Sequence, residues 1–435
     1  MGAFEVRGGH SLKGTITPQG AKNEALQVLC AALLTDERVT YTNVPDILDV
    51  NTLIELLADM GVKVERPANN TVVLQADQVN PDFFIDKTFK KKSGKLRGAV
   101  MLAGPLLARF GHTHIPQPGG DKIGRRRLDT HIRGFEKLGV KFHYDIDESL
   151  FILDGAEMHG THILMEEPSV TGTANIVMAA TTTPGTTSIY NAACEPYVQQ
   201  LCRMINKMGG RISGIGSNLL IVEGVNKLSG CEHRLLADMI EVGSFIGLAA
   251  ATKSDIVIKD ADIPHLGIIP ETFERLGIHL HFQGNDIHIP AQESYRIHKF
   301  IDGSILNISD HPWPGFTPDL ISVALVTATQ AKGTVLMHQK MFESRLFFVD
   351  KLIEMGAQIV LCDPHRAVVI GSDRQTPLRG ITMVSPDIRA GVALLIAALC
   401  AQGKSTIQNI EQIDRGYEQI DRRLVALGAD IKRLT

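Results

Sequence analysis

The sequence predicts an α/β fold of six repeated units in two globular lobes of three, and three observations lead there. A helix end, a bulky apolar residue, a glycine and an alternating strand recur as DMGVKVE, KLGVKFH, KMGGRIS, RLGIHLH, EMGAQIV and ALGADIK, with the glycine at Gly61, Gly139, Gly209, Gly277, Gly356 and Gly428. These glycines lie 68 to 79 positions apart, close to a sixth of the 435 residues, so the repeat fills the chain. Between them recurs an apolar helix, a small or polar break and another strand, as in AALLTDERVTYTNV, LLARFGHTHIPQP and LAAATKSDIVIKDA.

Each part has a local cause. A helix that turns into a strand needs a left-handed residue at its C-terminal cap, which glycine adopts without a Cβ penalty. The apolar helices lack a polar face and read as buried, while the helices before the glycines read as amphipathic. Each unit therefore carries two helices and about four strands. Propeller blades lack buried helices, and helical solenoids do not keep returning to strands.

Composition narrows the class further. A hydrophobic share of 44% supports large cores, and a net charge of −4 gives no overall basic field for nucleic acid. The six cysteines are scattered without metal-ligand or disulfide spacing, which reads as reduced, buried thiols in a cytoplasmic protein. The most apolar run, 391–401, is far short of the roughly 20 residues that cross a bilayer. No glycine-rich nucleotide loop and no histidine cluster occurs, so no cofactor and no metal are expected, and the histidines read as structural.

Polar residues gather where the apolar helices begin. Lys22 and Asn23 open one, Arg97 another, and Thr171 and Thr173 flank Gly172 in a third. Asp238, Asp319 and Asp387 with Arg389 begin the rest. The aspartates suit capping as well as chemistry. Cations at a helix N-terminus oppose the helix dipole, so Lys22, Arg97 and Arg389 are expected to meet an anion or a paired carboxylate, with ion pairing such as Asp387 with Arg389 as the main structural alternative. The loop PQPGGDKIGRRRLD, 116–129, is expected at the surface, where Arg125, Arg126 and Arg127 offer bidentate donors for phosphate or simply a solvated face. Arg345 in FESRLF and Arg415 in IDRGYE are expected at strand-to-helix turns.

Taken together, GAKNEAL at Gly20, PGGDKIGRRRLD, SVTGTAN at Ser169, NAACEP, HPWPGFTPD, FESR, DIRAG and IDRGYE resemble the UDP-N-acetylglucosamine 1-carboxyvinyltransferases, in the expected order along the whole chain. The resemblance implies an inside-out α/β barrel of two lobes. One would be residues 21–234 with the mobile loop 116–129, the other residues 1–20 plus 235–435, with the active site in the cleft between them. It implies transfer of the enolpyruvyl group of phosphoenolpyruvate to the 3′-hydroxyl of UDP-N-acetylglucosamine, the first committed step of peptidoglycan synthesis.

By motif match, Lys22, Arg126 and Arg415 would hold the phosphate of phosphoenolpyruvate, joined by Arg97, while Arg345 and Arg389 would orient its carboxylate. Asp319 would take the proton of the sugar hydroxyl. Asn23, Arg126, Arg127, Leu128, Asp129, Thr130, Ser169, Val170, Thr171 and Met341 would contact the nucleotide sugar, with Glu195 and Asp238 in support. The sequence departs from the family at Asp121, where Cys is usual, at Met239, where Arg usually follows the aspartate, and at Asn51, where Asp is common. A carboxyl at 121 can donate a proton but cannot form the thioether through which fosfomycin inhibits, so insensitivity is expected. Lys122 and the arginines would lower its pKa unless bound phosphate and closure offset them.

Three rivals remain at this point. The shikimate-phosphate enzyme shares the fold and donor that the resemblance implies, but its own motifs are not visible here. A non-catalytic paralogue that binds UDP-N-acetylglucosamine conflicts with retention of Lys22, Asp319 and the arginines. Nucleic-acid binding through Arg125 to Arg127 lacks an aromatic platform, with aromatics at 5%.

Overall fold

The computed structural model describes residues 2–81, 87–116, 119 and 127–434. They form two compact units, one of residues 2–19 and 237–434, the other running from 20 to 236. Each unit holds three small sheets and three buried apolar helices.

In the first unit the core helices are Met239–Ala251, Ile321–Thr329 and Ile388–Cys400, and each packs on the other two. Their residues are buried around almost the whole circumference, which explains the missing polar face. In the second unit Lys22–Ala31, Ala103–Phe110 and Val170–Ala180 are the corresponding core helices. The sheets cover them from outside. Thr186–Tyr190, for example, places Thr187 and Ile189 inward and leaves Thr186 and Tyr190 exposed. Helices inside and sheets outside make the inside-out α/β arrangement that the family resemblance implies.

The repeat glycines behave as argued, one residue beyond the cap. Gly61, Gly139, Gly209, Gly277, Gly356 and Gly428 have φ of 99°, 96°, 100°, 95°, 103° and 102°. The amide of each donates back into the turn it ends, as Gly209 N–H does to the Asn206 carbonyl at 3.1 Å.

Five sheets share one pattern of two antiparallel pairings and one short parallel edge strand. That edge strand precedes a core helix. His162–Leu164, for instance, leads into Val170–Ala180 and pairs in parallel with Thr186–Tyr190, which follows the helix. Two of these leading strands are exchanged. Lys13–Ile16 precedes Lys22–Ala31 but pairs with Asp255–Ile258. Glu232–Arg234 precedes Met239–Ala251 but pairs with Arg38–Thr42.

All six cysteines are free thiols. The expectation that they are buried holds for Cys30 and Cys202 but fails for Cys362, which is exposed on the outward side of the strand Gln358–Asp363. Among the described residues no helix is long and apolar enough to cross a membrane.

Candidate active site

In the first unit, the starts of two core helices bring two carboxylates and two guanidinium groups together. Asp319 lies in the short turn Pro318–Leu320 ahead of Ile321–Thr329. It is not the cap there; the Thr317 hydroxyl takes the Asp319 amide at 3.4 Å, which leaves the carboxylate for other partners. Arg345 Nη2 donates to Asp319 Oδ1 at 2.6 Å, and Arg389 Nε donates to Oδ2 at 3.1 Å. Asp387 is a cap, taking the amides of Arg389 and Ala390 at 2.8 and 3.0 Å.

This corrects the expected Asp387–Arg389 ion pair. Asp387 holds the Arg389 backbone, and its carboxylate lies 3.9 Å from Arg345 Nη1 instead, while the Arg389 side chain turns to Asp319. Arg389 is 5% exposed. Burial works against its charge, but Asp319 and then Tyr417 and Asp238 more than reverse that and drive its pKa upward. Tyr417, which accepts from Arg389 Nη1 at 3.4 Å, has its own pKa pushed up by burial to about 12. Arg345 Nε is buried with no hydrogen-bond partner among the described residues.

Around this group, Asp238 caps Met239–Ala251 by accepting the amides of Ile240 and Glu241 at 2.9 and 3.4 Å. Met239 beside it is buried. Met341 is exposed, and its amide is fixed by Asp310 at 3.0 Å. Arg415 follows the short helix Glu411–Asp414 rather than a strand, and its Nη1 donates to Gln412 at 2.8 Å.

In the second unit, Lys22 opens Lys22–Ala31 with no side-chain cap and is 6% exposed. A buried ammonium at the positive end of a helix needs a counter-charge. Asp49, in the first turn of Leu48–Asp59, supplies it at 2.6 Å. Asn23 beside it is half-buried. Asn51 bridges the same helix outward, donating to Asp46 and accepting from Arg66, both at 2.7 Å. Arg97 opens a 3-10 turn, Arg97–Leu102, rather than the α-helix expected, and donates to the Arg127 carbonyl at 3.2 Å.

A third group lies where Val170–Ala180 begins. Ser169 caps that helix through the Gly172 amide at 3.2 Å. A Cβ on Gly172 would lie 3.1 Å from the Ser169 hydroxyl and 3.2 Å from the Thr130 methyl, so the glycine lets these residues close in. Thr130 donates to Glu167 at 3.2 Å. Val170 and Thr171 occupy the first two helical positions and are half-buried. Leu128 is buried, while Arg127 and Asp129 are exposed. Glu195 is buried at the start of Pro196–Lys207.

The structure thus joins Asp319, Arg345 and Arg389 in one cluster, and Thr130, Ser169 and Thr171 in another. Asp121, Arg125 and Arg126 lie outside the described residues. Asp49, Tyr417 and His131 carry polar contacts that sequence reasoning did not assign. His131 sits two places after Asp129 in the loop motif and faces Thr171, and that adjacency was the available signal.

Comparison with known proteins adds names to this geometry. The family model for EPSP synthase (3-phosphoshikimate 1-carboxyvinyltransferase) matches residues 6–424. A UDP-N-acetylglucosamine 1-carboxyvinyltransferase of Porphyromonas gingivalis is 62% identical over 434 residues, spanning 100% of both chains. That of Bacteroides thetaiotaomicron is 61% identical over the same span, and that of Bradyrhizobium diazoefficiens 48% identical over 99% of this chain and 98% of its own. Among solved structures, the enolpyruvyl transferase NikO from Streptomyces tendae matches with a TM-score of 0.86 at 20% identity, covering 100% of this chain and 99% of that one. An EPSP synthase from Acinetobacter baumannii reaches 0.73 at 17% identity over 100% of both chains. These two speak for the fold alone.

Proposed function

Since the chain belongs to the UDP-N-acetylglucosamine 1-carboxyvinyltransferases, we propose that it moves the enolpyruvyl group of phosphoenolpyruvate to the 3′-hydroxyl of UDP-N-acetylglucosamine and releases phosphate. It is a transferase of peptidoglycan synthesis. The observation that carries this reading is identity of 62% across the full length of both chains. We assign its work to the cytoplasm.

In the addition step the hydroxyl oxygen bonds to C2 of phosphoenolpyruvate, the hydroxyl proton leaves, and a proton is added to C3. Elimination then breaks the bond from C2 to the phosphate oxygen and returns a C3 proton, which restores the double bond. Asp319 is our choice for the base. Its carboxylate accepts hydrogen bonds from Arg345 and Arg389. A substrate carboxylate that binds these arginines competes with Asp319 for their hydrogen bonds, which frees the Asp319 carboxylate to take the proton of the sugar hydroxyl. Arg345 Nε, buried without a hydrogen-bond partner among the described residues, is the donor best suited to that carboxylate.

Lys22, Arg97 and Arg415, with Arg126, bind the phosphate. Phosphate takes over from Asp49 as counter-charge to Lys22, which keeps the ammonium paired throughout. Asp121 delivers the proton to C3. Asn23, Arg127 to Thr130, Ser169 to Thr171 and Met341 bind the nucleotide sugar, while Asp238 and Glu195 support the groups beside them.

The test is phosphate release with both substrates present and with each alone. Release that needs UDP-N-acetylglucosamine supports the assignment. Release with shikimate 3-phosphate in its place would overturn it in favour of the activity for which the matching family model is described.

A further inference from the structure

One chain of hydrogen bonds at the start of Val170–Ala180 has a fixed direction. The Asn175 amide is oriented by the backbone, since the Gly104 amide donates to its Oδ1 at 2.8 Å and its Nδ2 donates to the Val100 carbonyl at 2.9 Å. The second Nδ2 hydrogen goes to His131 Nδ1 at 2.9 Å. Nδ1 is therefore an acceptor, and the ring proton resides on Nε2. From there it is donated to Thr171 Oγ1 at 3.0 Å.

His131 and Asn175 are 2% and 0% exposed, so water does not compete for these bonds. Burial, with the Arg97 charge second, lowers the His131 pKa to about 3, which keeps the ring neutral and the direction unchanged at physiological pH. A threonine hydroxyl ordinarily serves as donor or acceptor as its surroundings ask. Here one lone pair of its oxygen takes the ring N–H, so its own proton cannot point at the ring and is directed to some other acceptor. Thr171 is half-buried at the second position of an eleven-residue helix, where backbone amides and the helix dipole favour an anion. Diphosphate oxygens only accept, so they suit a hydroxyl proton aimed away from the ring at this helix end.

We propose that His131 is a positioning residue that fixes the Thr171 hydroxyl as a hydrogen-bond donor to a diphosphate oxygen of the nucleotide sugar. The inference rests on the function proposed above, and the experiment separates the two. Titration calorimetry with UDP-N-acetylglucosamine and with UDP alone is carried out on the wild type and on T171V, H131L and H131Q. T171V weakens both ligands about tenfold, the scale of one hydrogen bond to a charged group. H131L weakens them by a similar factor, and in the T171V background it adds less than a twofold further loss. H131Q, whose Nε2 can replace the lost N–H, restores most of the affinity. In turnover the losses appear in KM for the nucleotide sugar rather than in kcat.

Unchanged affinity in T171V, or an H131L loss as large in the T171V background as alone, overturns the inference. If H131L does not fold, T171V and H131Q decide by themselves, with weakened binding in the first and near-normal binding in the second expected. Failure of the wild type to bind UDP-N-acetylglucosamine overturns the proposed function instead.

Discussion

Replacing Asp319 with Asn changes the charge of a cluster while nearly preserving its shape. The Asp319 carboxylate lies 2.6 Å from Arg345 Nη2 and 3.1 Å from Arg389 Nε, and its side chain is 18% exposed. At an effective dielectric of about 20, a unit charge pair at about 4 Å is worth roughly 4 kcal/mol before desolvation. The neutral amide forfeits most of that attraction to both arginines, and their charge becomes available to an anion. D319N should therefore lose catalysis and keep or improve donor binding. We expect kcat to fall by about 10² to 10⁴, the usual contribution of a general base, while KM for phosphoenolpyruvate falls or holds. The assay is initial-rate phosphate release over both substrate concentrations, with a urea melt to confirm that the variant is folded. A kcat within tenfold of wild type would remove Asp319 from proton transfer. A rise in KM for phosphoenolpyruvate would refute competition between its carboxylate and Asp319.

Five further outcomes are expected. His131 has a folded pKa of about 3, below its unfolded value of 6.5, so the unfolded chain takes up the proton first as pH falls. Stability from this group is complete above pH 6.5 and is lost below it at about 1.4 kcal/mol per pH unit, and urea melts of H131Q should lack that share of the slope. Gly209 has φ of 100° and nothing near its missing Cβ, so G209A should cost only about 1 to 2 kcal/mol of backbone strain by chemical denaturation. In G104A the new Cβ would lie 2.4 Å from the Asn175 carbonyl oxygen, and the loss should be plainly larger. Turnover should persist with fosfomycin, and D121N should nearly abolish it while nucleotide-sugar binding survives; a covalent mass shift at residue 121 would refute the first point, and unchanged turnover the second.

What the sequence disclosed was whatever its local pattern carried. Gly61 and its five counterparts each mark a helix end because the left-handed turn is a requirement of one residue. Core helices such as Ile388–Cys400 were legible because a helix buried on all sides has no room for a polar face. The leading strands escaped notice. His162–Leu164 is three residues long, too short to show a period, and is paired by residues that follow a whole helix later. The exchange of Lys13–Ile16 and Glu232–Arg234 was invisible for the same reason.

At the site, residue types were easier to read than partners. Lys22 stood out as a misplaced cation, yet Asp49 lies on a different helix, and nothing near either residue announces their pairing. Asp319 was singled out, but Thr317, two residues earlier, does the capping that aspartate at a helix start would ordinarily do. His131 looked structural because a lone histidine carries no pattern. Only the Asn175 amide, fixed by Gly104 and Val100, gives its ring a direction.

The exchanged leading strands bear on the order in which the protein is made. Ribosomes deliver the chain from the N-terminus, so Lys13–Ile16 emerges long before Asp255–Ile258, the strand it pairs with. Ala3–Arg7 waits longer still, for Lys404–Gln408 and Asp430–Leu434. The inserted unit, by contrast, has every one of its described strands once Glu232–Arg234 is out. It can be finished while Ala3–Arg7 and Lys13–Ile16 are still unpaired, so strands that emerge ahead of the inserted unit are among the last to find their partners.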